Sequence, residues 1–142
     1  MRIPMRVDYG VRALVDLALH PGEGPIQTSE IAARQSIPEP YLEQLLPTLS
    51  KFGFIRSRRG PRGGHELAHL PSDITIDAVY QTLEGTSRML DCLEHPEGCS
   101  LHNVCGQRRM WGFVEDAIRG VLGETTVADL ANDQRKLMVL MG

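Results

Sequence analysis

Apolar residues recur at helical spacing near the amino terminus, where Val7, Val11, Leu14, Val15, Ala18 and Leu19 share one side of a helix read over residues 8–20 and ended by Pro21-Gly22. Asp8 stands at its start, where an acid caps free amides or meets the macrodipole. A second, short helix follows over Ser29 to Gln35, with Thr28 as its cap, Glu30 in its first turn and Ile31 and Ala32 facing inward. After the turn Ser36-Ile37-Pro38, a third helix runs from Glu39 to Phe52 and sets Leu42, Leu45, Leu46 and Leu49 opposite Tyr41, Glu43, Gln44, Thr48 and Lys51. Pro47 predicts a kink there, because it removes an amide and crowds the preceding turn. Two short helices joined by a tight turn, the second with a polar outer face, describe a helix-turn-helix.

The period then changes. Phe54 to Arg58 alternates, Gly60-Pro61-Arg62-Gly63-Gly64 turns, and His65 to Ala68 alternates again, which predicts a β-hairpin, a wing, directly after the recognition helix. Thr75 caps a helix over Ile76 to Glu84 that Gly85 stops, with Ile74 and Val79 as a hydrophobic staple and Val79 and Leu83 closing the core. From about Val104 to Leu122, an apolar stripe through Trp111, Val114, Ala117, Ile118, Val121 and Leu122 exceeds what the small first domain covers. It predicts a homodimer with Trp111, Val114, Ile118 and Val121 at the interface; the alternative is packing onto the first helix. Thr126-Val127-Ala128-Asp129 is a capping box with Asp in place of Glu and starts a last, short helix. The expected fold is mainly α with one small hairpin. Residues 1–85 form a winged helix-turn-helix, 86–109 a loop, and 110–142 a dimerisation helix with the short terminal one.

A chain of 142 residues suits one domain plus an appendage. No apolar run approaches the roughly 20 residues of a membrane span, and the amino terminus lacks a signal-peptide pattern, so a soluble, cytoplasmic protein without membrane partners is expected. The net charge of −3 changes the picture only when it is located. Lys51, Arg56, Arg58, Arg59 and Arg62 fall within residues 51–65, which hold no acid, while the rest of the chain carries the acidic excess. A basic hairpin on an acidic body touches phosphates at one edge. The expected contacts with double-stranded DNA are Thr28, Ser29, Glu39, Tyr41, Glu43 and Gln44 from the helices, and Arg56, Arg58, Arg59, Gly60 and Arg62 from the wing. Glu43 suits a cytosine amino group and Gln44 an adenine edge. No nucleotide loop or catalytic triad is visible, so neither an enzyme nor a small-molecule substrate is expected.

All three cysteines lie in a Cys-x6-Cys-x5-Cys run, Cys92, Cys99 and Cys105, broken by Pro96 and Gly98. Among charged and turn-forming neighbours they do not read as core positions, and an odd count argues against a disulfide scaffold. Three soft thiolates aimed at one point suit an iron-sulfur cluster and leave one ligand to be found elsewhere. Zinc competes, because His95 and His102 lie in the same loop.

The opening Asp8-Tyr9-Gly10-Val11-Arg12-Ala13-Leu14, the string Tyr41-Leu42-Glu43-Gln44-Leu45, the wing Arg59-Gly60-Pro61 with Gly63-Gly64, the three cysteines and the closing Thr126-Val127-Ala128-Asp129-Leu130 together resemble one family. It is that of the bacterial winged-helix iron-sulfur regulators, which includes IscR, the iron-sulfur assembly regulator, and NsrR, the nitric-oxide-sensing repressor. The resemblance implies a homodimer in which a cluster held by Cys92, Cys99 and Cys105 controls operator binding. The [2Fe-2S] branch takes its fourth ligand from a His three residues after the last cysteine, and here that position is Arg108. The [4Fe-4S] branch uses an Asp early in the first helix, donated by the other subunit, and this makes Asp8 the implied ligand, with His102 and then His95 as spare candidates. The favoured implication is an NsrR-like [4Fe-4S] sensor of nitric oxide or redox stress. An IscR-like [2Fe-2S] regulator, toward which the Tyr41 to Gln44 string leans, and a cluster-free thiol or zinc regulator are the alternatives. Arg62 and His65 depart from the family's usual Gly and Tyr, and Pro38 from its usual Ser.

Overall fold

The computed structural model describes residues 2–85 and 91–142. Helix α1 spans Met5–Leu19 and begins before the expected start. Pro4 sets the extended entry and its carbonyl accepts from the amides of Val7 and Asp8, both at 3.0 Å. Asp8 therefore sits within the first turn and does not cap the helix.

Helices α2 (Thr28–Gln35) and α3 (Glu39–Lys51) form the helix-turn-helix, joined through Ser36 in the left-handed region at φ +54°. Thr28 is inside α2, and the cap position belongs to Gln27, whose amide donates to Glu30 Oε2 at 3.1 Å. Thr28 is not the cap because its hydroxyl is turned toward His65 instead. Helix α3 buries Leu42, Leu45, Leu46 and Leu49 as its spacing predicts, and continues past Pro47 to Lys51.

Strands β1 (Ile55–Arg58) and β2 (Gly64–Leu67) pair antiparallel, Ile55 opposite Leu67 and Arg58 opposite Gly64. Helix α4 spans Ile76–Glu84, with the Thr75 hydroxyl accepting from the Ala78 amide at 3.1 Å and Gly85 ending it at φ +86°. Ile74, Val79 and Leu83 are buried as read. The short helix α5 (Asp91–Glu94) and a 3-10 turn at Pro96–Gly98 lead to α6 (Arg108–Glu124).

Helix α7 covers Val127–Met141, well beyond the short helix expected. Its box is as read: the Thr126 amide donates to Asp129 Oδ2 at 2.9 Å, and Thr126 Oγ1 accepts from the Asp129 amide at 3.1 Å. The starts of α4 and α7 lie side by side, since Ile76 donates to the Thr125 carbonyl and Val127 to the Ile74 carbonyl, both at 2.9 Å.

One core joins these elements. Leu14, Ile31, Leu42, Leu49, Ile55, Val79 and Val127 are fully buried and come from α1, α2, α3, β1, α4 and α7. Helix α7 lies along α1, where Arg135 Nη2 donates to the Ala18 carbonyl at 2.9 Å, while α6 packs on α4.

Candidate nucleic-acid interface and cysteine segment

The wing is closed by a tight turn in which the Gly63 amide donates to the Gly60 carbonyl at 2.9 Å, with Gly60 at φ +100°. Arg56, Arg58, Arg59 and Arg62 are all exposed on it, and Arg56 Nη2 donates to the Ala68 carbonyl at 3.2 Å. The hairpin is not free-standing. Ile26 forms a one-residue bridge to β2, its amide donating to the His65 carbonyl at 2.9 Å and its carbonyl accepting from the His65 amide at 2.8 Å. Gln27 Nε2 adds a bond to the Gly63 carbonyl at 2.7 Å. The sequence reading missed this attachment, whose only signal was Ile26 as a lone apolar residue among polar ones.

The His65 ring sits between two hydroxyls, with Nδ1 2.7 Å from Ser57 Oγ and Nε2 2.9 Å from Thr28 Oγ1. Burial lowers the ring's pKa from the ordinary histidine value, which favours the neutral form.

On α3, Glu39, Glu43 and Gln44 are exposed, while Tyr41 is half-buried and meets Tyr9 of α1 edge to face, ring centres 5.3 Å apart. Thr28 is half-buried and Ser29 exposed at the start of α2. One ion pair and one hydrogen bond from a guanidinium fasten this reading head to α1. Arg34 donates to both oxygens of the fully buried Asp16, at 2.9 and 2.8 Å, and Gln35 Nε2 adds a third bond at 3.0 Å. The bond to Asp16 holds the Arg34 guanidinium still further above its ordinary value. Arg12 grips Asp8 at 3.0 and 3.2 Å and also donates to the Gln35 carbonyl, at 3.2 Å, where α2 ends.

Cys92, on α5, and Cys99 and Cys105 are free, half-exposed thiols. Among the described residues no three His, Cys, Asp or Glu side chains are gathered closely enough to hold a metal ion. The Asp8 carboxylate is engaged by Arg12, His102 Nδ1 lies 2.7 Å from the Cys99 carbonyl, and His95 stands 3.6 Å from Glu97. Arg108 donates to the Cys92 carbonyl at 3.3 Å and so fastens α6 to the segment by its backbone. Residues 86–90, the start of the expected cysteine loop, lie outside the described residues. In donor chemistry the three thiols fit an iron-sulfur cluster.

Of the expected interface residues on α6, Trp111 and Val121 are exposed and Val114 and Ile118 half-buried. Phe113, which the stripe omitted, is 60% exposed and sits under the Arg109 guanidinium at 5.3 Å. A groove of about 690 Å³ runs between α1, α4, α6 and α7, floored by Val11, Ile76, Ile118 and Leu122, with Asp8 and Arg12 on its wall.

The profile of the Rrf2 family, described as an iron-dependent transcriptional regulator, matches residues 3–133. The chain belongs to the Rrf2 family. This Rrf2 chain is 38% identical to protein rrf2 of Nitratidesulfovibrio vulgaris over 133 residues, covering 94% of the chain and 89% of that relative. It is 37% identical to the HTH-type transcriptional regulator IscR of Serratia proteamaculans over 139 residues, covering 98% of the chain and 84% of the relative. Among solved structures it is similar to T. potens IscR, at a TM-score of 0.76 and 36% identity, covering 94% of this chain and 88% of that one. CymR of B. subtilis, titled the global cysteine regulator, superposes at a TM-score of 0.79 with 33% identity, covering 93% of this chain and 97% of that one. The winged helix-turn-helix of this Rrf2 chain is thus a DNA-binding fold, and the chain is a transcriptional regulator and not an enzyme. Among the described residues no helix is long and apolar enough to cross a membrane.

Proposed function

We propose that the chain is a homodimeric regulator whose operator binding is set by an iron-sulfur cluster, held by Cys92, Cys99 and Cys105 together with Asp8 from the other subunit, and that it responds to nitric oxide or redox stress. The observation that carries this reading is the set of three free thiols, one on α5 and two between α5 and α6, in a chain whose family is described as iron-dependent. A [4Fe-4S] cluster is favoured because Arg108 stands where a histidine ligand would be needed and is committed to the Cys92 carbonyl. When bound, such a cluster supplies a centre that nitric oxide, oxygen or iron shortage alters. The chain's own contribution is the link onward. Asp8 is shared with Arg12, and Arg12 reaches the Gln35 carbonyl, so a change at the Asp8 carboxylate is felt at the turn between α2 and α3.

Dimerisation through α6 is supported by its exposed apolar residues, Phe113 and Val121 among them, which a second copy covers. Two recognition helices about 34 Å apart then meet successive major grooves, with Glu43 and Gln44 at base edges and the wing arginines on phosphates. Arg59→Ala is expected to weaken binding to all duplexes and to lower the slope of log affinity against log salt by about 1. A slope equal to that of the unaltered protein counts against the wing contact.

An IscR-like [2Fe-2S] assembly regulator is the second reading. It is supported by the IscR relatives and by the string Tyr41 to Gln44, and takes His102 as its candidate ligand. Purification without oxygen, with iron and sulfide counts and operator binding before and after nitric oxide, separates the two. About four irons per subunit, with binding lost on exposure, supports the Asp8-ligated sensor, and about two supports the assembly regulator. A colourless protein that binds DNA ends both and leaves a thiol or zinc regulator.

A further inference from the structure

The His65 side chain joins two hydroxyls from separate elements: Ser57 on β1 and Thr28, the first residue of α2. On the proposed reading of the wing, both belong to the part of the head that approaches the DNA backbone. In a helix-turn-helix the first helix crosses the backbone, and serine and threonine hydroxyls at helix starts are common donors to phosphate oxygens.

A neutral imidazole has one N–H and one lone pair. With a hydroxyl against each nitrogen, at 2.7 and 2.9 Å, one hydroxyl must donate into the ring and the other must accept from it. The hydroxyl that accepts keeps its own proton for another partner. Its direction is also restricted, because one lone pair must face the ring N–H and the O–H is left the two remaining tetrahedral positions. The backbone that carries the ring is held by both hydrogen bonds of His65 to Ile26, which ties its position to the start of α2.

We infer that His65 is a positioning residue for phosphate recognition: bridging Ser57 and Thr28, it restrains the one of these hydroxyls that accepts from the ring so that its proton is free for the DNA backbone. This rests on the reading that the wing meets DNA. The role acts through uncharged donors, so it contributes affinity without releasing counterions.

The test uses the full chain and a duplex that the protein selects from a random-sequence pool, and measures affinity across a salt series. His65→Phe keeps a ring and the backbone pairing and removes both nitrogens, while Thr28→Val and Ser57→Ala each remove one hydroxyl. His65→Phe and at least one hydroxyl variant are expected to bind roughly tenfold more weakly, the scale of one lost bond to a charged group. Their salt slope is expected to stay at that of the unaltered protein. In the Thr28→Val/Ser57→Ala background, His65→Phe is expected to add nothing, because its effect passes through those hydroxyls. The inference is overturned if His65→Phe leaves affinity unchanged, if it flattens the salt slope as a displaced wing would, or if its effect persists undiminished without the two hydroxyls. Thr28→Val and Ser57→Ala decide the matter should His65→Phe fail to fold: if neither weakens binding, the inference is overturned. An Arg59→Ala control with unaltered slope overturns the wing reading as well; a flattened one leaves that reading standing whatever His65 does.

Discussion

Arg34→Met is expected to lower the unfolding free energy by about 3 kcal/mol, to be read as a fall in the urea midpoint at unchanged m-value. Asp16 is fully buried on α1 and accepts two bonds from Arg34 and one from Gln35. Without the guanidinium, the carboxylate keeps one amide donor in a site water does not reach, and removing one partner of a buried pair typically costs about 3–5 kcal/mol. The Arg34 side chain is 35% exposed, so part of its own attraction is already screened, which places the expectation at the lower end. Even so, this is a large share of the roughly 5–15 kcal/mol that separates folded from unfolded domains. Asp16→Leu combined with Arg34→Met should recover most of the loss, since the cost lies in the charge left alone. An Arg34→Met protein with the original midpoint would show that Gln35 suffices.

The second large effect is on DNA binding. Gly64 sits at φ +140°, where a side chain is strained, and a Cβ there would lie 2.6 Å from the Ile26 carbonyl oxygen and 2.8 Å from its nitrogen. Neither neighbour can give way, because both are backbone atoms of the bridge that attaches the wing to the start of α2. Gly64→Ala therefore breaks the Ile26–His65 pair and lets the hairpin leave the head. The strain alone is worth about 1–3 kcal/mol. Operator affinity is expected to fall more than tenfold and the salt slope to flatten by more than 1, because several arginines lose their phosphates together. Affinity and slope like those of the unaltered protein would mean that the attachment does not matter for binding.

Much of this fold was legible because regular periods leave regular marks. The leucines of α3, the hairpin of the wing and the threonine caps of α4 and α7 all stand where the sequence predicts, although the wing strands bury only their first residues and do not alternate. What escaped has no period. The Ile26–His65 bridge is one residue pair long, and Asp16 is a charge within an apolar run whose reason for being buried lies on another helix, at Arg34 and Gln35. Thr28 looked like a cap because a hydroxyl before a helix usually is one, but competition from His65 settled its direction. The polar stretch Asn132 to Lys136 hid the length of α7. At the candidate cluster site the cysteine spacing suggested the donors, but spacing does not fix where a turn-rich segment carries them, and the Asp8 carboxylate is engaged by Arg12.

The attachment of α7 to α1 bears on how the chain is made. Val127 and Ala131 belong to the same buried cluster as Leu14, and Arg135 bonds the Ala18 carbonyl across 117 positions of sequence. A growing polypeptide emerges at about 5–20 residues per second, so the amino-terminal helix waits several seconds for the helix that covers it. During that interval the reading helices already exist as sequence while one wall of their shared core is open. A transcript cut short before α7 should therefore yield a sticky fragment for the quality-control machinery, and not an unregulated competitor for the operator.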